Sequence, residues 1–132
     1  MKFLVGYNGS DVSKAALSLA RTYADLFGAE VLVVTSMAGG PSEKPEEIGK
    51  ASMDLDYAEK FFREKNIPCK VFQLARGMSP GEDLVMFAKE NDVDQIFVGI
   101  EKKSKTQKIL LGSNAQYIIL KAPCPVVSIN SP

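Results

Sequence analysis

The residues of this chain best suited to hold an anion lie around two glycines that stand thirteen positions apart. Gly99 follows an apolar run that ends in Val98, and Gly112 and Ser113 begin a predicted helix. A glycine after a buried strand lets another group approach the backbone, and a helix N-terminus presents unpaired N–H donors and the positive end of a dipole. A phosphate group suits both features. The glycine after the strand and the helix start together predict a phosphate-binding site between Gly99 and Gly112.

Each of these residues also has a purely structural explanation. Gly99 would serve a sharp turn after a strand, and Ser113 would serve as the N-cap of a helix. Between the two glycines, Lys102 and Lys103 could grip phosphate oxygens as point charges. A solvated basic loop explains the same lysines equally well, so both interpretations stay open.

The absence of histidine narrows the chemistry available to this chain. Ser-His-Asp and Cys-His catalysis, and zinc sites with histidine ligands, all need an imidazole. The two cysteines, Cys69 and Cys124, are not closely spaced, which favours reduced, packed thiols over a disulfide. The sequence therefore predicts neither a set of catalytic residues nor a structural metal.

Length, charge and hydropathy describe one small domain. A chain of 132 residues, 45% of them apolar, can bury one core but not two, so we expect a single domain over residues 1–132. Its 16 basic and 16 acidic residues balance, which leaves no overall field to attract a nucleic acid or an anionic membrane. No apolar run approaches the ~20 residues of a membrane span, and the N-terminus lacks a signal-peptide cleavage region. These features predict a cytoplasmic protein without nucleic-acid or membrane partners.

Strand-like and helix-like segments alternate along the chain. Five short apolar runs predict strands at Lys2–Tyr7, Glu30–Met37, Cys69–Leu74, Gln95–Gly99 and Val126–Ile129. Apolar residues at helical spacing predict four helices between them, and the first such stripe consists of Val12, Ala15, Ala16, Leu19, Tyr23 and Phe27. Right-handed crossovers then give a parallel sheet with helices on both faces, and ligands of such sheets bind beyond the carboxyl ends of the strands.

Several helix ends carry local signals. Ser10 is expected to be the N-cap of the first helix, and Gly28 is well placed to end it. Ser79 and Glu82 have the side chains of a capping box, with Pro80 at the first helical position. This combination predicts the start of the third helix.

The chain resembles the universal stress protein family, and the likeness covers nearly its whole length. LVGYNGSDVSKAALSLA is similar to the family's first strand and helix, RGMSPGEDLVMFAKENDVDQIFVG to its third helix and fourth strand, and KAPCPVVSIN to its ending. Nucleotide-binding members carry a glycine, two residues, a second glycine, nine residues, then Gly-Ser or Gly-Thr. Gly99, Gly112 and Ser113 fit this spacing, whereas Lys102 replaces the second glycine and Asn8 replaces an aspartate. The resemblance implies a Rossmann-like, flavodoxin-like α/β fold with a five-stranded parallel sheet in the order 3-2-1-4-5.

The resemblance also implies a ligand: an adenine nucleotide, ATP or AMP, with Mg²⁺ as a companion ion, held at the carboxyl ends of the first and fourth strands. The site residues that follow are Gly6, Tyr7, Asn8, Ser36, Met37, Val98, Gly99, Lys102, Lys103, Gly112, Ser113 and Asn114. Asn8 can still accept a hydrogen bond from a ribose hydroxyl, and it also suits a left-handed turn position before Gly9. If the second loop glycine must have positive φ, Lys102 costs roughly 1–2 kcal/mol of strain or reshapes the loop.

The implied function is a stress-response or regulatory role coupled to nucleotide binding. The alternative is a dimeric interaction module of the same fold without a nucleotide, like family members that lack the loop glycines. Slow ATP hydrolysis would need a water-positioning group and metal ligands, and the sequence singles out neither. A homodimer is expected through Val126–Ile129, because a short apolar edge strand leaves backbone groups free to pair and the final strands of two family members commonly pair antiparallel.

Overall fold

A computed structural model of the chain describes residues 1–37, 39–105 and 108–130, and within 102–110 it describes the backbone only. Seven strands and four helices follow one another along these residues. Their bounds are β1 Lys2–Gly6, α1 Asp11–Phe27, β2 Glu30–Met37, α2 Pro45–Arg63, β3 Cys69–Ala75, α3 Pro80–Glu90, β4 Gln95–Ile100, β5 Lys102–Lys105, β6 Lys108–Leu111, α4 Ser113–Lys121 and β7 Val126–Asn130.

Five of the strands form one parallel sheet in the order β3-β2-β1-β4-β7. Strand β1 is central and pairs with β2 on one side and β4 on the other. The predicted α/β single-domain fold and its strand order are therefore confirmed, with β7 as the fifth strand of the sheet and at its edge. The central strands are apolar along most of their length because helices cover both faces of the sheet.

Alternate residues of the strands enter two separate cores, as the two-residue period of a strand requires. Phe3 and Val5 of β1 pack under α1 and α2, whereas Leu4 packs under α3 and α4. The face of α1 that meets the sheet differs in part from the predicted stripe, because its buried residues include Ala20 and Ala24 whereas Phe27 is 63% exposed.

The helix ends follow the sequence signals with two exceptions, the capping box of α3 and the N-cap of α4, which is Gly112 and not Ser113. Ser10 caps α1 by accepting a hydrogen bond from the Ser13 amide at 3.3 Å, and Gly28 ends the helix in the left-handed conformation. Helix α3 begins at Pro80 as predicted, but Ser79 makes no side-chain capping bond and instead donates to the Glu82 carboxylate at 3.0 Å. The predicted capping box is therefore wrong, although it correctly marked the start of the helix.

An antiparallel hairpin occupies part of the segment expected to be a basic loop. Strands β5 and β6 pair from Lys102 opposite Leu111 to Lys105 opposite Lys108. Lys102 is thus part of an extended strand. A strand residue needs no positive φ, so the strain expected for Lys102 in a left-handed conformation does not arise.

Candidate functional site

A cavity of about 380 Å³ opens at the carboxyl ends of β1, β2 and β4, where the strand order of the sheet reverses. The first turns of α1, α3 and α4 complete its walls. Its volume lies within the range found for small-molecule sites. Glu101 is the one charged side chain that lines it among the described residues, so the wall itself is nearly neutral.

Helix α4 begins beside this cavity with its first turn uncapped. Gly112 is its N-cap residue, no side-chain hydrogen bond caps the following amides, and the first turn contains no acidic residue. Helices α1 and α3 also begin at the cavity, but they carry Asp11 and Glu82 in their first turns. An anion in the cavity is therefore attracted most strongly to the amides at the start of α4.

The space in front of Gly112 is open. No described atom lies within 4 Å of a Cβ built at Gly112, and its φ of −63° is one that any residue adopts. The backbone conformation therefore does not require a glycine at this position. A side chain at position 112 would instead restrict the access of a ligand to the first turn of α4.

Gly99 lies inside β4 and is explained by packing within the protein. A Cβ built at Gly99 would lie 2.3 Å from the carbonyl oxygen of Val12 and 2.8 Å from the amide nitrogen of Ser13. The group that approaches Gly99 is thus the first turn of α1. The interpretation of Gly99 as a turn residue is wrong, since β4 continues to Ile100.

Asn8 organises the turn between β1 and α1. Its side-chain oxygen accepts a hydrogen bond from the Ser10 amide at 3.0 Å, and its carbonyl oxygen accepts one from Lys50 Nζ at 3.2 Å. The left-handed position of this turn belongs to Gly9, with φ of 80°, so the left-handed conformation expected for Asn8 is wrong. The turn holds Asn8 at the edge of the cavity.

Most of the residues predicted for the site come together around this cavity. Those that line it are Gly6, Tyr7, Asn8, Ser36, Val98, Gly99, Gly112 and Asn114. Ser113 does not line it, although it is the first residue of α4. Met37 instead lines a second cavity of about 320 Å³, where its sulfur accepts a hydrogen bond from Gln73 at 3.0 Å. The side chains of Lys102 and Lys103 lie outside the described structure.

Asn114 connects two of the helix starts that surround the cavity. Its side-chain oxygen accepts a hydrogen bond from the Gly81 amide at 2.9 Å, which ties the first turn of α4 to that of α3. A Cβ built at Gly81 would lie 2.9 Å from the carbonyl oxygen of Asn114, so the two helices approach closely here. The sequence analysis did not place Gly81 at the site, because the segment around it indicated only the start of a helix.

A group of ion pairs around one buried carboxylate, near the end of β2, was also missed by sequence reasoning. Asp83 of α3 is fully buried and accepts hydrogen bonds from Ser36 Oγ and from Arg76 Nε, both at 2.6 Å. Arg76 also donates to Glu90 at 2.6 Å. The hydrogen bond to Glu90, together with the contact to Asp83, raises the pKa of Arg76 above its usual value.

Three further groups, Tyr7, Cys69 and Cys124, have raised pKa values. Burial, reinforced by the charge of Asp54, raises the pKa of Tyr7 to about 12. Burial also raises the pKa of Cys69 to about 12 and that of Cys124 above its ordinary value, and both thiols are free. A protonated thiol is a poor nucleophile, so neither cysteine is prepared for covalent chemistry.

Neither a cluster of metal ligands nor a membrane-spanning helix is found among the described residues. None of their His, Cys, Asp and Glu side chains form a group of three or more that could hold a metal ion. Within the same part of the chain, no helix combines the length and the apolar content needed to cross a membrane.

Comparison with known proteins identifies relatives over the whole fold. The family model described as "Universal stress protein family" matches residues 1–130. A universal stress protein of Thermus aquaticus is 30% identical over 94% of this chain and 94% of its own length.

Solved structures agree with the sequence comparison. A universal stress protein of Archaeoglobus fulgidus is 38% identical with a TM-score of 0.89, and the match covers 98% of both chains. A universal stress protein structure from the same organism in complex with dAMP is 34% identical with a TM-score of 0.82, covering 98% of this chain and 97% of the other. The protein therefore belongs to the universal stress protein family.

Proposed function

We propose that this protein binds an adenine nucleotide, ATP or AMP, in the cavity at the ends of β1, β2 and β4, and that it acts as a stress-response or regulatory protein. The observation that carries this proposal is the uncapped first turn of α4 beside a cavity of suitable volume. The relative from Archaeoglobus fulgidus that was solved with dAMP supports the same class of ligand.

In this proposal the phosphate lies at the start of α4, where the amides of Ser113 and Asn114 point toward the N-terminal end of the helix. Lys102 and Lys103 would add positive charge beside it. Mg²⁺ would accompany ATP through its phosphates, because this ion keeps most of its water ligands and needs few from a protein. Asn8 would accept a hydrogen bond from the ribose through the second lone pair of its side-chain oxygen.

The second candidate function is a dimeric interaction module of the same fold that binds no nucleotide. Two departures from the family pattern favour it: Lys102 in place of the second loop glycine and Asn8 in place of the aspartate. Both candidates include a homodimer that pairs through the edge strand β7, and both place the protein in the cytoplasm.

A binding experiment separates the two candidates. Purified protein is titrated with AMP and with Mg-ATP, and affinity is measured by calorimetry and by the shift in melting temperature. A ligand at a hundredfold excess over its dissociation constant stabilises the folded state by about 2.7 kcal/mol. We expect Gly112→Val to abolish this stabilisation while lowering the melting temperature of the free protein only slightly, because no described atom lies within 4 Å of a Cβ at this N-cap position.

Gly49→Val is the matched control. Gly49 lies in α2, does not line the cavity and also has no atom within 4 Å of a built Cβ, so this variant carries the same chemical change elsewhere. It should bind nucleotide like the unmodified protein. If AMP, ADP, Mg-ATP and GTP at millimolar concentration all leave the melting temperature unchanged, the proposal fails and the interaction module is favoured.

A further inference from the structure

The hydroxyl group of Ser36 has a fixed direction of hydrogen bonding. Ser36 lines the cavity near the end of β2, and its Oγ lies 2.6 Å from a carboxylate oxygen of Asp83. Asp83 is fully buried, so water does not compete for this contact. The serine hydroxyl has one proton and two lone pairs, and its partner decides how they are used.

Arg76 binds the carboxylate of Asp83 from the other side. Its guanidinium contacts the second carboxylate oxygen of Asp83 at 2.6 Å and the carbonyl oxygen of the same residue at 3.3 Å. A carboxylate paired with an arginine in this way is ionised and can only accept hydrogen bonds. Ser36 must therefore give its only hydroxyl proton to Asp83.

A hydroxyl that has already donated its proton can only accept from a ligand. Val34, on the same face of β2 as Ser36, and Leu84 of α3 contribute apolar side chains to the cavity wall. A ligand carbonyl placed there would face the lone pairs of Ser36 with no proton between the two oxygens. A ligand amino group would supply that proton and satisfy both partners.

The distance between Ser36 and the start of α4 is comparable to the distance between the base and the phosphate of a nucleotide. Strands β2 and β4 are separated by β1, which places them about 10 Å apart at the usual strand spacing. If the phosphate of a nucleoside monophosphate lies at the start of α4, its base can therefore extend toward β2. This step rests on the nucleotide function proposed above.

We propose that Ser36, oriented by the buried carboxylate of Asp83, is a specificity-determining residue that selects purines with an amino group at position 6 over purines with a carbonyl group there. Adenine presents a 6-amino donor, whereas guanine and hypoxanthine present a 6-oxo acceptor. Asp83 acts through Ser36 and is a positioning residue. Arg76 donates to the other carboxylate oxygen of Asp83 and so holds this side chain in place as the acceptor for Ser36.

The first test compares AMP with IMP, which share the ribose and the phosphate and differ only in the purine ring. We expect the unmodified protein to bind AMP roughly ten- to a hundredfold more tightly than IMP, the factor expected when a buried polar group is left without a partner. Ser36→Ala should bring the two affinities to within about threefold. Ser18→Ala, at an exposed position of α1 that does not line the cavity, is the matched control and should keep the preference.

The second test reverses the hydrogen bond. In Asp83→Asn, Arg76 still requires an acceptor, so the side-chain oxygen of the asparagine turns to Arg76 and its NH₂ group faces Ser36. Ser36 then accepts from the asparagine and can donate into the cavity. We expect the ratio of AMP to IMP affinity in Asp83→Asn to be at least tenfold lower than the ratio in Ser36→Ala. This variant should therefore prefer IMP. Circular dichroism and a melting curve check that this variant is folded.

Each outcome of these titrations bears on the proposal. If the unmodified protein binds AMP and IMP with equal affinity, nucleotide binding stands and the role of Ser36 is refuted. If it prefers AMP and Ser36→Ala keeps that preference, the role of Ser36 is refuted as well, whether or not Asp83→Asn folds. If no nucleotide binds at all, both the proposed function and this inference fail.

Discussion

Gly99 faces the backbone of α1 at a distance that leaves no room for a side chain. In Gly99→Ala the new Cβ would lie 2.3 Å from the Val12 carbonyl oxygen and 2.4 Å from its carbonyl carbon. Contacts of Cβ below 3.0 Å are essentially never found, so the first turn of α1 must move away from β4 by about 0.7 Å. Both groups are backbone within regular elements, and neither can give way by rotating a side chain.

The cost of this movement can be bounded. Overpacking a protein interior typically costs about 1–3 kcal/mol, and a backbone-to-backbone overlap belongs at the upper end of that range. Replacing a glycine by alanine also stiffens the unfolded chain, which returns about 0.4–1 kcal/mol. The free energy of unfolding should therefore fall by about 2–3 kcal/mol, a large share of the 5–15 kcal/mol typical of a domain.

Urea unfolding followed by circular dichroism measures this loss. We expect the midpoint to fall without a change in the slope, because the same surface is exposed on unfolding. Gly112→Ala is the matched control, and its stability should stay within about 0.5 kcal/mol since its Cβ enters open space. A loss below 0.5 kcal/mol in Gly99→Ala would show that α1 does not pack on β4 as described, and would reopen the interpretation of Gly99 as a ligand contact.

Two further predictions concern pH and assembly. The pKa of Cys69 is raised from its ordinary 9.0 to about 12 in the folded state, so the stabilisation from its protonated thiol is fully present below pH 9 and is lost as the pH rises toward 12. Between pH 7.5 and pH 10.5 the urea midpoint should therefore fall less in Cys69→Ala than in the unmodified protein. An equal fall in both proteins would contradict the raised pKa of Cys69. Light scattering at micromolar concentration should report a dimer. Ser128 is exposed on the edge strand β7, and Ser128→Lys would place two like charges opposite each other across the two-fold axis. We therefore expect Ser128→Lys to be a folded monomer. A monomeric unmodified protein, or a dimeric variant, would exclude pairing through β7.

The fold was predictable because the hydrophobic pattern and the chain topology agree. What the pattern did not give is the face of α1 that meets the sheet. Phe27 fits the helical stripe but is exposed, whereas Ala16, Ala20 and Ala24 are buried. Small side chains face the sheet because α1 approaches β4 closely at Gly99, and hydropathy alone ranks a phenylalanine above an alanine.

The site was predictable only where it depends on local sequence. The start of α4 at Gly112 follows from the spacing and from the family pattern. The contact between Ser36 and Asp83 joins residues 47 positions apart. Asp83 lies in the first turn of α3, where an acidic residue is sufficiently explained by the helix dipole. Nothing in the sequence indicated that this carboxylate is buried and paired.

The hairpin of β5 and β6 limits which backbone amides could reach a phosphate in the proposed nucleotide complex. Its first pair, Lys102 opposite Leu111, joins the chain just after β4 to the chain just before Gly112. The hairpin therefore closes the loop ahead of Gly112 without a glycine at position 102. Amides that pair across a ladder are not free to surround a phosphate. In the proposed complex, the first turn of α4 therefore supplies most of the hydrogen bonds to the phosphate. For this reason we expect a substitution at Gly112, rather than at Lys102, to separate binding from folding.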